Sequence, residues 1–167
     1  SKAKVDETIS PSMDISVASN FERLLYDFYL DCDSNLCSKL YSKFPDESIN
    51  VNETIWKQSS DLFISYSSDD ISTYKCMQFY YENYDYIMDP HTAVAADAVK
   101  SLKNKLQGKT IILSTAHPAK FPSVLKNAGL SVSNIPNKLS EVLNKNEVAK
   151  KLSALDESIF EYIKENN

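Results

Sequence analysis

Glycine is nearly missing from this chain. Its 167 residues include only Gly108 and Gly129, where average usage of roughly 7% would supply about twelve. Neither a G-x-G-x-x-G dinucleotide fingerprint nor a G-x-x-x-x-G-K-[ST] phosphate loop can be written with them. Arginine is scarcer still: Arg23 is the sole residue able to grip a carboxylate or phosphate through a guanidinium fork. The two histidines, His91 and His117, stand on separate segments without H-E-x-x-H spacing, so no zincin-type metal site is expected. Either one can be combined on paper with a serine and an acid, but no G-x-S-x-G elbow supports such a triad. Cys32, Cys37 and Cys76 are odd in number and lack C-x-x-C spacing, which fits free thiols in a reducing, cytoplasmic compartment. No stretch approaches the roughly 18 apolar residues of a membrane span. The opening SKAKVDETIS has no apolar signal-peptide core.

What is present is ordinary for a globular chain. Hydrophobic residues make up 43% and charged residues 25%, too apolar for disorder. Eighteen basic residues against twenty-three acidic ones leave a net charge of −5, which argues against nucleic acid or an anionic membrane as partner. The length suits one domain, or a large part of one. The chain begins with Ser rather than Met and reads as one entered midway.

Periodicity divides the chain into short elements. Met13, Ile15 and Val17 alternate like a strand. Phe21, Leu24, Leu25, Phe28 and Tyr29 then mark an amphipathic helix over Phe21–Leu30, with Ser19-Asn20 available to cap it. Leu36, Leu40, Tyr41 and Phe44 suggest a short helix stopped by Pro45, and Thr54–Gln58 another. Leu62–Tyr66 reads as a strand. Ser67–Asp70 caps a helix whose Tyr74, Met77, Gln78, Tyr81 and Tyr84 fall at helical spacing, a stripe better read as core packing than as a binding box. Asp89-Pro90-His91-Thr92 starts an alanine-rich helix, Ala93–Leu106, with Gly108 as its expected C-cap. Thr110–Ser114 is a continuous run of the kind buried on both faces in parallel sheets. Pro118 opens a helix that Gly129 closes, and Lys138–Lys164 reads as one or two surface helices.

Strand-to-helix junctions at 18–21 and 114–119 fit an α/β sheet with its ligand beyond the carboxyl ends of the strands. Helix N-termini aim free N–H groups at anions, so three clusters qualify as candidate sites. They are Ser19-Asn20-Phe21-Glu22-Arg23, Asp89-Pro90-His91-Thr92, and Ser114-Thr115-Ala116-His117-Pro118-Ala119-Lys120. For each, the plain alternative is a capped helix with an exposed charge or a hydrogen-bonded histidine.

Longer segments carry a family likeness. Ser10-Pro11-Ser12-Met13-Asp14-Ile15 and Val17 through Leu25 resemble the SPxMDIxVxSNFERLL segment of threonine synthases, in the branch found in fungi and many bacteria. Asp89–Val94 resembles the DPHTAV segment of that family, and Leu113–Phe121 its STAHPAKF segment. The resemblance covers roughly residues 8–130, and 31–70 matches only in helical character.

It implies part of the parallel-sheet, three-layer α/β domain of a fold-type II (tryptophan synthase β-like) pyridoxal-phosphate enzyme, helix-rich. A helical insertion would lie at 31–75 and C-terminal helices at 137–167. The complete enzyme would convert O-phosphohomoserine and water to threonine and phosphate. By resemblance, Thr115 or Ser114 would present a hydroxyl to the pyridine nitrogen, with Thr115 favoured. Asp89, Pro90, His91 and Thr92 would line the cofactor ring, while Ser19, Asn20 and Arg23 would lie at the mouth. Lys120 would be a further contact for phosphate. The family's N-terminal domain, Schiff-base lysine and phosphate loop are absent from these 167 residues. The chain is therefore expected to hold no catalytic residue of its own, to be inactive by itself, and to have the missing N-terminal part as its partner. The alternative is a non-catalytic remnant kept as a binding module.

Overall fold

The structure is a computed structural model and describes residues 4–30, 34–42, 44, 46–143 and 145–166. Cys32 and the helix stop expected at Pro45 lie outside these residues. The chain divides into two compact units, Ser1–Val132 and Ser133–Asn167.

The first unit opens with a 3-10 turn at Pro11–Met13, where Pro at the first position loses only an amide that had no helical partner. Helices α1 (Ser19–Leu30), α2 (Ser34–Tyr41) and α3 (Glu53–Leu62) follow. Their apolar faces meet in a small core of Leu25, Tyr29, Cys37 and Ile55. The Asn52 side chain starts α3 by accepting the Ile55 N–H at 2.9 Å.

Helix α4 (Asp70–Tyr84) and helix α5 (Pro90–Ser101) pack against each other and against α6 (Pro122–Asn127). Their shared core holds Cys76, Met77, Met88, Ala93, Ala96 and Leu125. The inward face of α4 carries Thr73, Cys76 and Met77, with Tyr74 and Tyr80 at its margin. Tyr81 and Tyr84, the far end of the expected stripe, are exposed. Gln78 is exposed as well, and its amide donates to the Ala128 carbonyl at 3.1 Å. Small Ala93 and Ala96 let α4 approach α5 closely, which explains the alanine-rich half of that helix.

Gly108 does not cap α5. The helix ends at Leu102, and a 3-10 turn over Lys103–Lys105 separates it from the glycine. Gly129 behaves as expected: at φ +72° its N–H closes on Lys126, and the Leu130 N–H reaches back to Leu125.

Among the described residues no segment is assigned as a strand. Met13 lies in the 3-10 turn, and Leu62 ends α3. Segment 110–114 is not buried on both faces: Ile112 packs on the core, while Ile111 is 86% and Leu113 75% exposed. That alternation has the period of a strand. A strand also needs a neighbour to complete its ladder, and the described residues supply none.

The second unit carries α7 (Asn137–Leu143) and α8 (Asp156–Glu165). Asp156 and Glu157 sit in the first turn of α8, favourable to its dipole. The Lys150 ammonium lies 4.5 Å from the centre of the Tyr162 ring. No helix of the described residues is long and apolar enough to cross a membrane.

Candidate functional site

The site is built at the start of α5. Asp89 is its N-cap, and its Oδ1 accepts the backbone N–H of His91 at 3.0 Å and that of Thr92 at 3.3 Å. Pro90 follows in the position where the missing N–H costs nothing. The Thr92 hydroxyl donates to Asp89 Oδ2. That same Thr92 oxygen accepts the Thr115 N–H at 3.1 Å. One threonine thus ties the helix start to the end of the 110–114 run.

Asp89 has no solvent exposure. Burial pushes its carboxyl upward, but hydrogen bonds from the side chains and backbone of Thr92 and His91 outweigh this and hold it below its ordinary value. The carboxylate is therefore ionised and saturated with donors, as a buried charge must be.

His91 is buried, and both ring nitrogens are engaged. Nδ1 lies 3.0 Å from Asp89 Oδ1, and Nε2 accepts the Ser12 N–H at 3.2 Å. With an acceptor facing Nδ1 and a donor facing Nε2, the geometry matches the tautomer that carries its proton on Nδ1. Phe121 packs against it, ring centres 4.9 Å apart.

Thr115 differs from these partners. Its backbone is anchored, yet the residue is exposed. Its hydroxyl lies 3.4 Å from Thr92 Oγ1 and 3.5 Å from Asp89 Oδ1, both long for an O–H···O bond. The hydroxyl is thus held more loosely than the backbone beside it. Ser114 beside it is also exposed.

The other expected residues are not drawn into this network. Ser19, Asn20 and Arg23 sit exposed on the first turns of α1, where Arg23 donates to the Asn20 side chain. Arg23 lines an open groove of about 790 Å³ with Tyr26, Cys37 and Tyr41. Lys120 is exposed on the 3-10 turn Pro118–Lys120. His117 caps that turn, Nδ1 accepting the Ala119 N–H at 3.2 Å. Among the described residues no group of His, Cys, Asp and Glu side chains is arranged to hold a metal ion.

Two features escaped the sequence reading. The Ser12 amide joins the site across 79 positions, without any local signal. Asp97, one face away on α5, is buried and accepts from Tyr66 at 3.0 Å and Ser68 at 2.7 Å. Nothing in the local sequence points to hydroxyls some thirty residues upstream.

The profile of the family described as "Threonine synthase, C-terminal" matches residues 92–163. Threonine synthase of Pseudomonas aeruginosa is 31% identical over 147 residues, 87% of this chain and 31% of that protein. The Saccharomyces cerevisiae threonine synthase is 33% identical over 96% of this chain and 35% of its own length. Among solved structures, PLP-bound threonine synthase from Brucella melitensis superposes with a TM-score of 0.76 at 28% identity, covering 98% of this chain and 35% of that one. The fold is thus part of the α/β domain of fold-type II pyridoxal-phosphate enzymes, helix-rich in this portion. Within that class the chain belongs to the threonine synthase family and corresponds to its C-terminal part. It spans about a third of the length of the curated relatives it matches.

Proposed function

We propose that this chain forms the ring-facing wall of a pyridoxal-phosphate site in a cytoplasmic threonine synthase that converts O-phosphohomoserine and water to threonine and phosphate. The single observation that carries the reading is the Asp89–Thr92–Thr115 chain of hydrogen bonds, which fixes the Thr115 backbone and holds its exposed hydroxyl only by long contacts of 3.4 Å to Thr92 and 3.5 Å to Asp89. A hydroxyl donor suits a neutral pyridine nitrogen, so the residues fit the group. When bound, the cofactor supplies an electron sink for a substrate carbanion. Thr115 donates a hydrogen bond to the ring nitrogen, with Ser114 beside it. Thr92 and ionised Asp89 hold Thr115 in place, and Pro90 at the start of α5 would be among the residues that line the cofactor.

Arg23, with Asn20 and Ser19, takes the substrate's carboxylate or phosphate at the mouth, and Lys120 offers a second cation. The lysine that carries the cofactor and the loop that holds its phosphate come from the N-terminal part of the enzyme. Residues 31–75 act as a helical insertion and 137–167 as C-terminal helices. The test is formation of threonine and phosphate from O-phosphohomoserine by the protein carrying this chain, with and without added pyridoxal phosphate. Cofactor-dependent formation of both supports the reading; cofactor binding without turnover would favour a binding module.

A further inference from the structure

Both ring nitrogens of His91 are engaged by the protein itself. Nδ1–H serves Asp89 at 3.0 Å, and Nε2 takes the Ser12 amide at 3.2 Å. The neighbouring turn bonds run from Met13 to Ser10 and from Asp14 to Pro11, so the Ser12 amide lies outside the turn's own backbone bonding and turns to the histidine. The ring is buried and held from the side by Phe121. The segment it grips is itself ordered. Asp14 accepts the Thr8 amide at 2.8 Å and its hydroxyl at 2.7 Å, and the Ile9 amide reaches Asp70 at 3.1 Å.

From this geometry we infer that His91 is a positioning residue, a two-ended clip. One nitrogen orients the Asp89 carboxylate toward Thr92 and Thr115, and the other fastens the Pro11–Met13 turn to the same site. The clip acts through Asp89 and the turn, not by touching ligand. Its effect on cofactor binding rests on the function proposed above; the clip itself does not. A carboxylate released from Nδ1–H has one donor fewer and a wider choice of orientation. Thr92, and through it the Thr115 amide, then loses its fixed anchor.

Two substitutions separate the ends. His91→Asn keeps an N–H near the Nδ1 position and removes the acceptor for Ser12. His91→Gln places a carbonyl near the Nε2 position and removes the donor to Asp89. Amide hydrogen exchange of the full chain reads each end, with the amides of Met77 and Ala96 reporting that α4 and α5 are folded. In His91→Asn the Ser12 amide should exchange about tenfold faster, the equilibrium worth of one hydrogen bond, while the Thr115 amide keeps its protection. In His91→Gln the pattern should reverse, with Thr115 faster and Ser12 protected.

Equal changes at both amides in both variants, or no change at either, would overturn the clip. Should one variant fail to fold, the other still tests its own end. Pyridoxal-phosphate affinity of the complete enzyme supplies the second readout: His91→Gln should weaken it more than His91→Asn. A failure of the proposed function appears separately, as no cofactor binding by the unsubstituted complete enzyme alongside the full amide pattern.

Discussion

Two regions of the first unit carry long family-like segments, yet they are built differently. Around α4, α5 and α6 the core encloses polar groups: Asp89, His91, Thr92 and Asp97 are all buried, and each is matched by a partner. Around α1, α2 and α3 the core is Leu25, Tyr29, Cys37 and Ile55, and the polar residues of the motif stay outside. A buried carboxylate is tolerated only when several donors hold it, so the first region fixes its side chains to one arrangement. Arg23 and Asn20, exposed and paired with each other, carry no such constraint. The first arrangement holds its polar side chains in one geometry; the second leaves them free to change theirs.

Removing one cap from each region gives the largest contrast. Asp89→Ala deletes the cap of α5 and strands the Thr92 and His91 donors in the interior, with an expected loss of roughly 2–4 kcal/mol. Asn52→Ala deletes the cap of α3 at an exposed position, with an expected loss of about 1 kcal/mol. Urea unfolding measures both, and equal losses would erase the distinction between the regions.

Acid sharpens it next. The Asp89 carboxyl is held below its ordinary value, so its stabilising contribution is complete above the usual carboxylate range and is lost as pH falls through the folded-state value. The stability gap between the unsubstituted chain and Asp89→Asn should therefore be largest near neutrality and narrow below about pH 4. A gap that stays constant or widens in acid would show that Asp89 is not ionised in its network.

The smallest effect is chemical. Burial, followed by the charge of Asp97, pushes the Cys76 thiol up to about 11, while burial and Glu22 raise Cys37 in the other region. Iodoacetamide at pH 8 should label Cys76 more slowly than Cys37, mapped by mass spectrometry. The reverse order would mean that the α4–α5 core opens first.

The sequence made the helices legible because their faces are one-sided: Leu25 and Tyr29 repeat at helical spacing and are buried as the pattern requires. Asp89-Pro90 announced the start of α5 by cap chemistry alone. The 110–114 run was legible as strand-like, but its alternation of packed Ile112 with bare Ile111 and Leu113 depends on neighbours that local composition does not specify. Gly108 misled because Leu102 had already ended the helix through a 3-10 turn. At the site, Asp89, Thr92 and Thr115 were named from motifs, and their joint hydrogen bonding follows from the helix start facing the chain end. The Ser12 amide was beyond reach, since a backbone donor has no signature of its own.

The most direct measurement compares Thr115→Ala with Trp56→Ala in the complete enzyme, per molecule of folded protein. Thr115 presents an exposed hydroxyl 3.5 Å from Asp89, whereas Trp56 is 64% exposed and borders the apolar cavity between α1 and α3. Turnover of O-phosphohomoserine should fall about a hundredfold for Thr115→Ala, the scale of losing one positioned donor, and change little for Trp56→Ala. Equal, mild effects of the two substitutions would remove Thr115 from the site and contradict the reading of this region as the cofactor wall.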